Sequence, residues 1–256
     1  MRFNFFIYIG FFTLLIISCS SKKDVLYLQN SDLDVNYEYQ FLEYRIKTDD
    51  ILKIDVNSIE PNAALIFSNS SARHDVSSNK VSMLYNGYHV STSGDINFPL
   101  IGVVKVVDLT IEELREKLYN LISDGGILIN PFIDIKILNT HFTILGEVNA
   151  PGRYEYIKNN INILEAIGMA GDLTINGKRR DIKIIRNHDG KQLISSVDLT
   201  RSDFLKGNNF QVISGDIIIV NPNTSRVKSA GIIGNSGTLL SLLSFITTSI
   251  IVITNN

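Results

Sequence analysis

Two apolar stretches, one at each end of the chain, constrain its organisation more than any other feature of the sequence. The first follows Arg2 and runs from Phe5 to Ile17, interrupted by Gly10 and Thr13. It is shorter than the roughly 20 residues of a transmembrane helix, and its basic start and apolar body are those of a secretory signal peptide. The sequence therefore predicts that this end directs secretion and is then removed.

The signal peptide ends in Ile16-Ile17-Ser18-Cys19, which resembles a bacterial lipobox. Cleavage before Cys19 would leave its sulfur and its new amino group as the sites of lipid attachment. Cys19 is the only cysteine of the chain, so no internal disulfide can form. We predict a lipoprotein signal peptide at 1–18, lipidation at Cys19 and a polar tether at 19–40. Ser20 is not the aspartate that favours inner-membrane retention in well-studied Gram-negative lipoproteins, so the expected destination is the outer membrane.

The second apolar stretch lies at the other end and is interrupted by hydroxyl side chains. Residues 229–256 contain no charged residue, which predicts a C-terminal transmembrane helix. At helical spacing, Thr238, Ser241, Ser244 and Thr248 fall near one face. Small and hydroxylated residues suit close helix packing or a wet lumen, so these four are candidate pore-facing residues. The alternative is a simple membrane anchor.

The part between the two ends is long enough for one large or two small domains with their own cores. Its charges are nearly balanced: the whole chain has a formal net charge of −2, which argues against a nucleic-acid-binding surface. The chain has no tryptophan. A tryptophan-lined sugar cleft is therefore excluded, although tyrosine and phenylalanine remain available.

Residues with catalytic chemistry are scattered. The four histidines, His74, His89, His141 and His188, stand singly and without metal-ligand spacing. No Gly-x-Ser-x-Gly elbow and no Walker-type phosphate loop occurs. The pair Asp49-Asp50 precedes a predicted strand and is interpreted as part of a turn. The sequence therefore predicts no catalytic residue, no metal site and no cofactor.

The first half of the soluble part contains one clear strand and one clear helix. In YRIKTDDILKIDVN, apolar residues alternate with Lys53 and Asp55, which predicts a half-buried strand. Thr110 and Glu113 form a capping-box pair at the start of a helix that ends at Gly125-Gly126. The predicted buried face of this helix consists of Ile111, Leu114, Leu118 and Leu121.

The second half predicts strands around a short capped helix. FTILGEVNAPGRYEY reads as two strands, with Pro151-Gly152 at the centre of a type II turn in which the glycine takes positive φ. NINILEAIGMAGDLT predicts a helix capped by Asn160 or Asn162. A hairpin turns at Asp189-Gly190, and GDIIIVNP is a buried closing strand. KTDDILKIDV and ISGDIIIVNP both place an acidic turn before an aliphatic strand, an echo too short to define a repeat.

Six stretches in order resemble the bacterial polysaccharide export family, the outer-membrane lipoproteins of capsule and exopolysaccharide translocons. They are YRIKTDDILKIDV, VSTSGDINFPLIGVVKVVDLTIEELREKL, NPFIDIKI, ILGEVNAPGRY, ILEAIGMAGDLT and GDIIIVNP. The resemblance extends from about Tyr44 to Pro222. Each motif is weak by itself, whereas the six in the same order are specific.

The chain departs from the family pattern at three points. Family members usually have a Pro-Gly-Asp turn where this chain has Thr48-Asp49-Asp50 and Ser214-Gly215-Asp216. Asp172 stands where a second glycine is common. One β-grasp module follows the export domain, whereas longer relatives carry two, which implies a shorter periplasmic section.

The resemblance implies an α+β fold and a non-enzymatic function. The implied units are an export domain at 41–138, with a small mixed sheet and a packed helix, a soluble-ligand-binding β-grasp domain at 139–224 and a transmembrane helix at 229–256. A ring of identical subunits, lipid-anchored in the outer membrane with its soluble part in the periplasm, would let capsular or extracellular polysaccharide leave the cell. An inner-membrane polysaccharide co-polymerase, a chain-length protein of the tyrosine-kinase type, would act with it.

Two other functions stay open. A monomeric periplasmic sugar-binding lipoprotein would use the β-grasp module alone and would need neither a ring nor the C-terminal segment. A lipoprotein enzyme acting on cell-wall glycans would need a cleft with two carboxylates at least roughly 5 Å apart. Glu147, Glu155 and Glu165 lie near the start of the second domain and are the carboxylates available for such a pair.

Overall fold

The structure is a computed structural model of the 256-residue chain. It describes residues 22–29, 42–58, 67, 84–158, 160–188, 190–207, 209–224 and 236–254. The predicted signal peptide, Cys19 and much of the predicted tether lie outside these residues. His74 and nearly all of the stretch between residues 59 and 83 also lie outside them.

The first domain is a small antiparallel sheet with a hairpin and one packed helix. Its elements are β1 (Ile51–Asn57), β2 (Tyr88–His89), β3 (Asp95–Phe98), β4 (Gly102–Lys105), α1 (Ile111–Asp124) and β5 (Phe132–Ile137). β1 lies between β2 and β5, and β3 pairs with β4. The expected mixed sheet is wrong for this domain, because every pairing between its described strands is antiparallel. In the pair β1 and β5, for example, the first residue of β5, Phe132, lies opposite the last residue of β1, Asn57, so the two strands run in opposite directions.

The predicted alternation places the core of this domain correctly. Leu52, Ile54 and Val56 of β1 are buried, and Lys53 and Asp55 point to the other face. Successive residues of a strand face opposite sides of the sheet, so the alternation in the sequence is sufficient to assign Leu52, Ile54 and Val56 to the buried face.

The buried face of α1 differs from the prediction by one position. Leu114, Leu118 and Ile122 are fully buried, whereas Leu121 is 39% exposed. Residues four apart lie almost in line along a helix, so a stripe that passes through Leu114 and Leu118 continues to Ile122.

The start of α1 is closed by the predicted capping box. Glu113 N–H donates to Thr110 Oγ1 at 3.1 Å, and Thr110 N–H donates to Glu113 Oε2 at 2.8 Å. We expect Thr110→Ala to lower the free energy of unfolding by about 1 kcal/mol, because one N–H of the helix start loses its acceptor. Urea unfolding followed by circular dichroism measures the change. Thr110→Ser, the matched control, keeps the oxygen, and an equal loss in both variants would contradict the cap.

The second domain is built on a five-stranded sheet. Its elements are β6 (His141–Gly146), β7 (Gly152–Glu155), β8 (Ile161–Asn162), α2 (Ile163–Met169), β9 (Gly177–His188), β10 (Lys191–Val197), β11 (Gln211–Val212) and β12 (Ile217–Pro222). The sheet order is β10-β9-β12-β6-β7, and β8 pairs with β11. β12 is parallel to β6 and antiparallel to β9. The mixed sheet therefore belongs to this domain, and the α+β class is confirmed.

The structure decides two local expectations in the second domain, the N-cap of α2 and the turn at Pro151-Gly152. Asn162, not Asn160, caps α2: Glu165 N–H donates to Asn162 Oδ1 at 2.9 Å. The predicted type II turn at Pro151-Gly152 is wrong, because Gly152 begins β7 and does not have positive φ. The glycine with positive φ in this motif is Gly146, at +93°, where the backbone leaves β6.

The terminal segment contains a helix, α3 (Ser236–Thr254). Within the part of the chain that the structure describes, no helix is long and apolar enough to span a membrane. The predicted transmembrane helix at 229–256 is therefore not supported.

The candidate pore-facing residues all lie on α3. Ser241, Ser244 and Thr248 are exposed. The hydroxyls of Ser244 and Thr248 donate to the helix carbonyls of Ser241 and Ser244 at 2.9 and 2.7 Å. In such bonds the hydroxyl hydrogen is donated to the backbone of the same helix. That these residues and Thr238 face a lumen stays a prediction.

Candidate functional site

Two acidic turns of the same geometry precede β1 and β12. In both the first turn (Lys47–Asp50) and the second turn (Ile213–Asp216), the N–H of the first residue donates to the carboxylate of the fourth at 2.8 Å. The third residue has positive φ in each case, +68° at Asp49 and +91° at Gly215. The short similarity between KTDDILKIDV and ISGDIIIVNP therefore corresponds to the same turn in both places. In each turn, an aspartate carboxylate accepts a backbone N–H just before a strand begins.

The first acidic turn carries a buried hydrogen bond between a tyrosine and a carboxylate. Asp50 is 6% exposed, and Tyr44 Oη lies 2.9 and 3.0 Å from its two oxygens. Burial raises the pKa of the Asp50 carboxyl, opposed by the hydrogen bonds from the Lys47 N–H and the Tyr44 hydroxyl. Burial, followed by the charge of Asp50, raises the pKa of Tyr44. Tyr44 therefore remains a protonated donor to Asp50.

The second acidic turn carries a buried ion pair. Arg186 Nε donates to Asp216 Oδ1 at 2.9 Å, and its Nη2 donates to Asp216 Oδ2 at 2.7 Å. The same Nη2 donates to the Gln211 carbonyl at 2.8 Å. The two charged side chains are 11% and 1% exposed. This two-point geometry fixes the guanidinium in one orientation. The carboxylate depends on the guanidinium for its charge balance, because Asp216 is out of contact with water and Arg186 is nearly so.

The two domains meet around these turns. Gln211, 4% exposed, joins them by two hydrogen bonds to the main chain of Leu42: Leu42 N–H donates to Oε1 at 2.8 Å, and Nε2 donates to Leu42 O at 2.9 Å. Tyr156 is also partly buried here, and burial, followed by the charge of Asp216, raises its pKa. The Asp50 charge acts in the same direction on Tyr156, so groups of the first domain act electrostatically on the second.

The linker between the domains is tied to both acidic turns. Asn139 accepts the N–H of Ile51 at 2.9 Å and donates to the Asp49 carbonyl at 2.8 Å. Two residues later, His141 O accepts the N–H of Gly215 at 2.8 Å. We call the Leu42–Tyr44 segment, the two acidic turns, this linker, Tyr156, Arg186 and Gln211 the domain junction. The role of the domain junction is structural, because the carboxylates of Asp50 and Asp216 are both engaged in hydrogen bonds within the protein.

The GEVNAPG motif packs against the end of α2. Asn149 N–H donates to Asp172 O at 3.0 Å, Ala150 N–H to Ala170 O at 2.9 Å, and Thr174 N–H to Glu147 O at 2.9 Å. Two motifs that are separate in the sequence thus form one hydrogen-bonded unit.

Part of the predicted tether, residues 22–29, is docked on the second domain. Leu28 N–H donates to Leu199 O at 3.1 Å. Tyr27 donates from its hydroxyl to Asp172 Oδ1 at 2.5 Å, and its ring centroid lies 5.4 Å from the Arg179 guanidinium carbon. Sequence reasoning missed this contact, although the apolar run Val25-Leu26-Tyr27-Leu28 within the predicted polar tether could have indicated it.

Two of the three carboxylates considered for glycan hydrolysis, Glu147 and Glu165, have structural contacts, and the third, Glu155, is the last residue of β7. Glu165 caps α2, and Glu147 accepts the hydroxyl of Thr174 at 2.7 Å. Among the described residues, no group of three or more His, Cys, Asp or Glu side chains could hold a metal ion. An open cleft of about 310 Å³ beside β10 includes Phe204 and an Arg201–Asp203 ion pair.

Comparisons with known proteins match both domains. The model of the polysaccharide biosynthesis/export protein family matches residues 39–138, and the SLBB domain model matches residues 141–194. The "EPS I polysaccharide export outer membrane protein EpsA" of Ralstonia solanacearum is 28% identical over 206 residues, covering 77% of this chain and 53% of the relative. The protein of the same name from Ralstonia nicotianae is 30% identical over 185 residues, covering 69% and 47%.

The chain spans about half the length of these relatives. The two family models match in the order in which the two domains occur, and their matches meet at the linker of the domain junction. The chain belongs to the polysaccharide biosynthesis/export family.

Proposed function

We propose that the chain is a non-enzymatic subunit of an apparatus that exports polysaccharide across the outer membrane. Its family and the names of its two relatives support this function. The observation that carries it is the domain junction, which fastens an export domain and an SLBB domain into one unit through buried hydrogen bonds. A conduit for a polymer needs walls that hold their shape, and such a unit is suited to form them.

Within this proposal, several identical subunits form a ring around the path of the polymer. An inner-membrane polysaccharide co-polymerase, of the chain-length tyrosine-kinase type, delivers capsular or extracellular polysaccharide to its periplasmic side. The hydrogen bonds of Gln211 with the main chain of Leu42 hold the two domains of each subunit together, and Arg186 supports Gln211 by donating to its carbonyl. No group in this mechanism forms or breaks a bond of the sugar.

The proposed anchor is lipid on Cys19 in the outer membrane, with the folded domains in the periplasm. Lys22, the first residue of the docked segment, follows Cys19 by three positions, a distance of about 10 Å in an extended chain. Because that segment packs on the second domain, a lipid at Cys19 would hold the second domain close to the membrane surface.

The experiment removes the chain from cells that produce it and restores it from a plasmid. We expect surface polysaccharide to disappear on removal, with polymer retained inside the cell, and to return with the wild-type chain. The Cys19→Ala variant should no longer fractionate with the outer membrane. Normal surface polysaccharide without the chain would refute the export function.

A monomeric sugar-binding lipoprotein is distinguished by mass. Light scattering on the detergent-extracted chain should give a multiple of the subunit mass if it forms a ring. A monomer under these conditions, together with normal export, would favour sugar binding, for which the cleft beside β10 is the available site.

A further inference from the structure

Among the described strands, β10 is an edge strand whose own sequence lacks the usual protection. Its sequence, KQLISSV, has one charge, at Lys191, and no proline. It pairs with β9 over seven consecutive residues without a bulge. Natural edge strands are normally blocked by charges, prolines or bulges, since their free N–H and C=O groups pair with other chains.

The apolar residues of this edge are exposed on both faces. Leu193 and Ile194 are 58% and 63% exposed. Consecutive strand residues point to opposite faces, so Leu193 shares the core face with the buried Val197, and Ile194 lies on the outer face. Both faces of the strand therefore present an aliphatic side chain to solvent.

The other edge of the same sheet is β7. Within the described part of the chain, β10 has only β9 as a neighbour and β7 only β6. β10 runs antiparallel to β9, β9 to β12, and β7 to β6, while β12 and β6 are parallel. β10 and β7 therefore run in opposite directions on opposite sides of the domain.

Rotational symmetry makes these two edges complementary. Rotation about an axis parallel to the strands preserves strand direction, so β10 of one copy meets β7 of the next in antiparallel orientation. Antiparallel pairs are the more stable kind. A contact between two different surfaces of one chain closes into a ring when its rotation closes.

We propose that β10 of one subunit adds to β7 of a second copy of this chain, so that the five-stranded sheets join into one continuous sheet; this rests on the proposed ring. The faces restrict the register to alternate pairings, and among these we propose the one that brings the two exposed aliphatic residues of β10 opposite the longest side chains of β7. Leu193 lies opposite Tyr154, whose ring stacks on Phe142 at 5.4 Å on the core side. Ile194 lies opposite Arg153, whose aliphatic stem covers it while the guanidinium stays in water.

A cysteine pair tests this contact in the full-length chain extracted in detergent. Ile194→Cys combined with Arg153→Cys places two thiols directly across neighbouring strands, within disulfide reach. Each subunit then bonds to two neighbours, so we expect a covalent ladder beyond the dimer on a non-reducing gel. The wild type and the two single variants, as controls, should remain monomeric on the gel.

Two results would overturn the strand pairing. One is an oligomer by light scattering whose double variant gives no ladder, which would leave the proposed ring intact. The other is a covalent dimer from Ile194→Cys alone, which would mean that β10 pairs with β10. A monomer by light scattering overturns the ring as well, so the two failures are distinguishable.

A charge exchange tests the register without cysteines. Ile194→Lys places like charges opposite each other at every interface, and we expect the assembled fraction to fall several-fold. Ile194→Glu, equally polar, lies opposite Arg153 and should stay assembled. Adding Arg153→Glu should restore assembly of Ile194→Lys. Equal losses for the lysine and glutamate variants, or no rescue, would overturn the register.

Discussion

Replacing Arg186 with leucine is expected to lower the free energy of unfolding by about 3–5 kcal/mol, because it leaves the Asp216 carboxylate buried without its counter-charge. Asp216 is 1% exposed, and Arg186 supplies two of its hydrogen bonds, at 2.7 and 2.9 Å. Leucine fills part of the space but provides neither charge nor donor. Chemical denaturation of the purified chain measures the loss.

The chain contains a matched control for this substitution. Arg201 also contacts one aspartate through Nε and Nη2, at 2.9 and 2.7 Å from Asp203. Its side chain is 59% exposed and that of Asp203 is 66% exposed, so Arg201→Leu should change the stability little, since water replaces the partner. Equal losses in Arg186→Leu and Arg201→Leu would show that burial is not what makes the pair important.

A second substitution separates the lost charge from the lost packing. Adding Asp216→Asn to Arg186→Leu removes the unpaired carboxylate but keeps an oxygen for the N–H of Ile213, which donates to Asp216 at 2.8 Å. We expect the double variant to recover part of the stability. A double variant that is less stable than Arg186→Leu would contradict the charge explanation.

The domain junction is also expected to matter for transport as well as for stability. If the polymer path needs two domains fixed to each other, Arg186→Leu should reduce export more than its effect on the amount of folded protein explains. Arg201→Leu provides the comparison, because Arg201 lies outside the domain junction.

Sequence patterns predicted the elements because their signals are local. The alternation of β1 and the capping box of α1 depend on side chains a few residues apart, and both signals were correct; for α2 the sequence offered Asn160 or Asn162 as the cap, and the structure has Asn162. Two of the errors were also local. Leu121 was placed on the buried face of α1, and Gly152 was given the positive φ that belongs to Gly146.

The junction could not be predicted because it depends on long-range register. Arg186 meets Asp216 because Ile185 pairs with Ile217 across β9 and β12, and no local pattern fixes that pairing. The contact of Tyr27 with Asp172 likewise joins residues 145 positions apart. The motifs predicted that acidic turns precede β1 and β12, but not that both lie at one interface.

The turn after β6 explains why its motif contains glycine, and it gives the second large effect. Gly146 has a φ of +93°, and a Cβ at this position would lie 2.0 Å from the Val220 carbonyl oxygen. That oxygen belongs to β12, the parallel neighbour of β6, and it accepts the N–H of Glu147 at 3.0 Å. An alanine here meets backbone, which cannot rotate away as a side chain could.

We expect Gly146→Ala to lower the free energy of unfolding by about 2–5 kcal/mol, since backbone strain and a displaced strand both contribute. Gly152→Ala is the matched control, because Gly152 lies in the same motif, lacks positive φ, and a Cβ there meets nothing within 4 Å. Denaturation midpoints of the two variants measure the difference.

The same substitution should also weaken the oligomer, because β6 and β12 are interior strands of the sheet whose edges we propose to join subunits. Gly152→Ala should leave the stability of the subunit unchanged. Equal stability of the two variants would mean that the chain can turn after β6 without a glycine, and that the 2.0 Å approach does not constrain it.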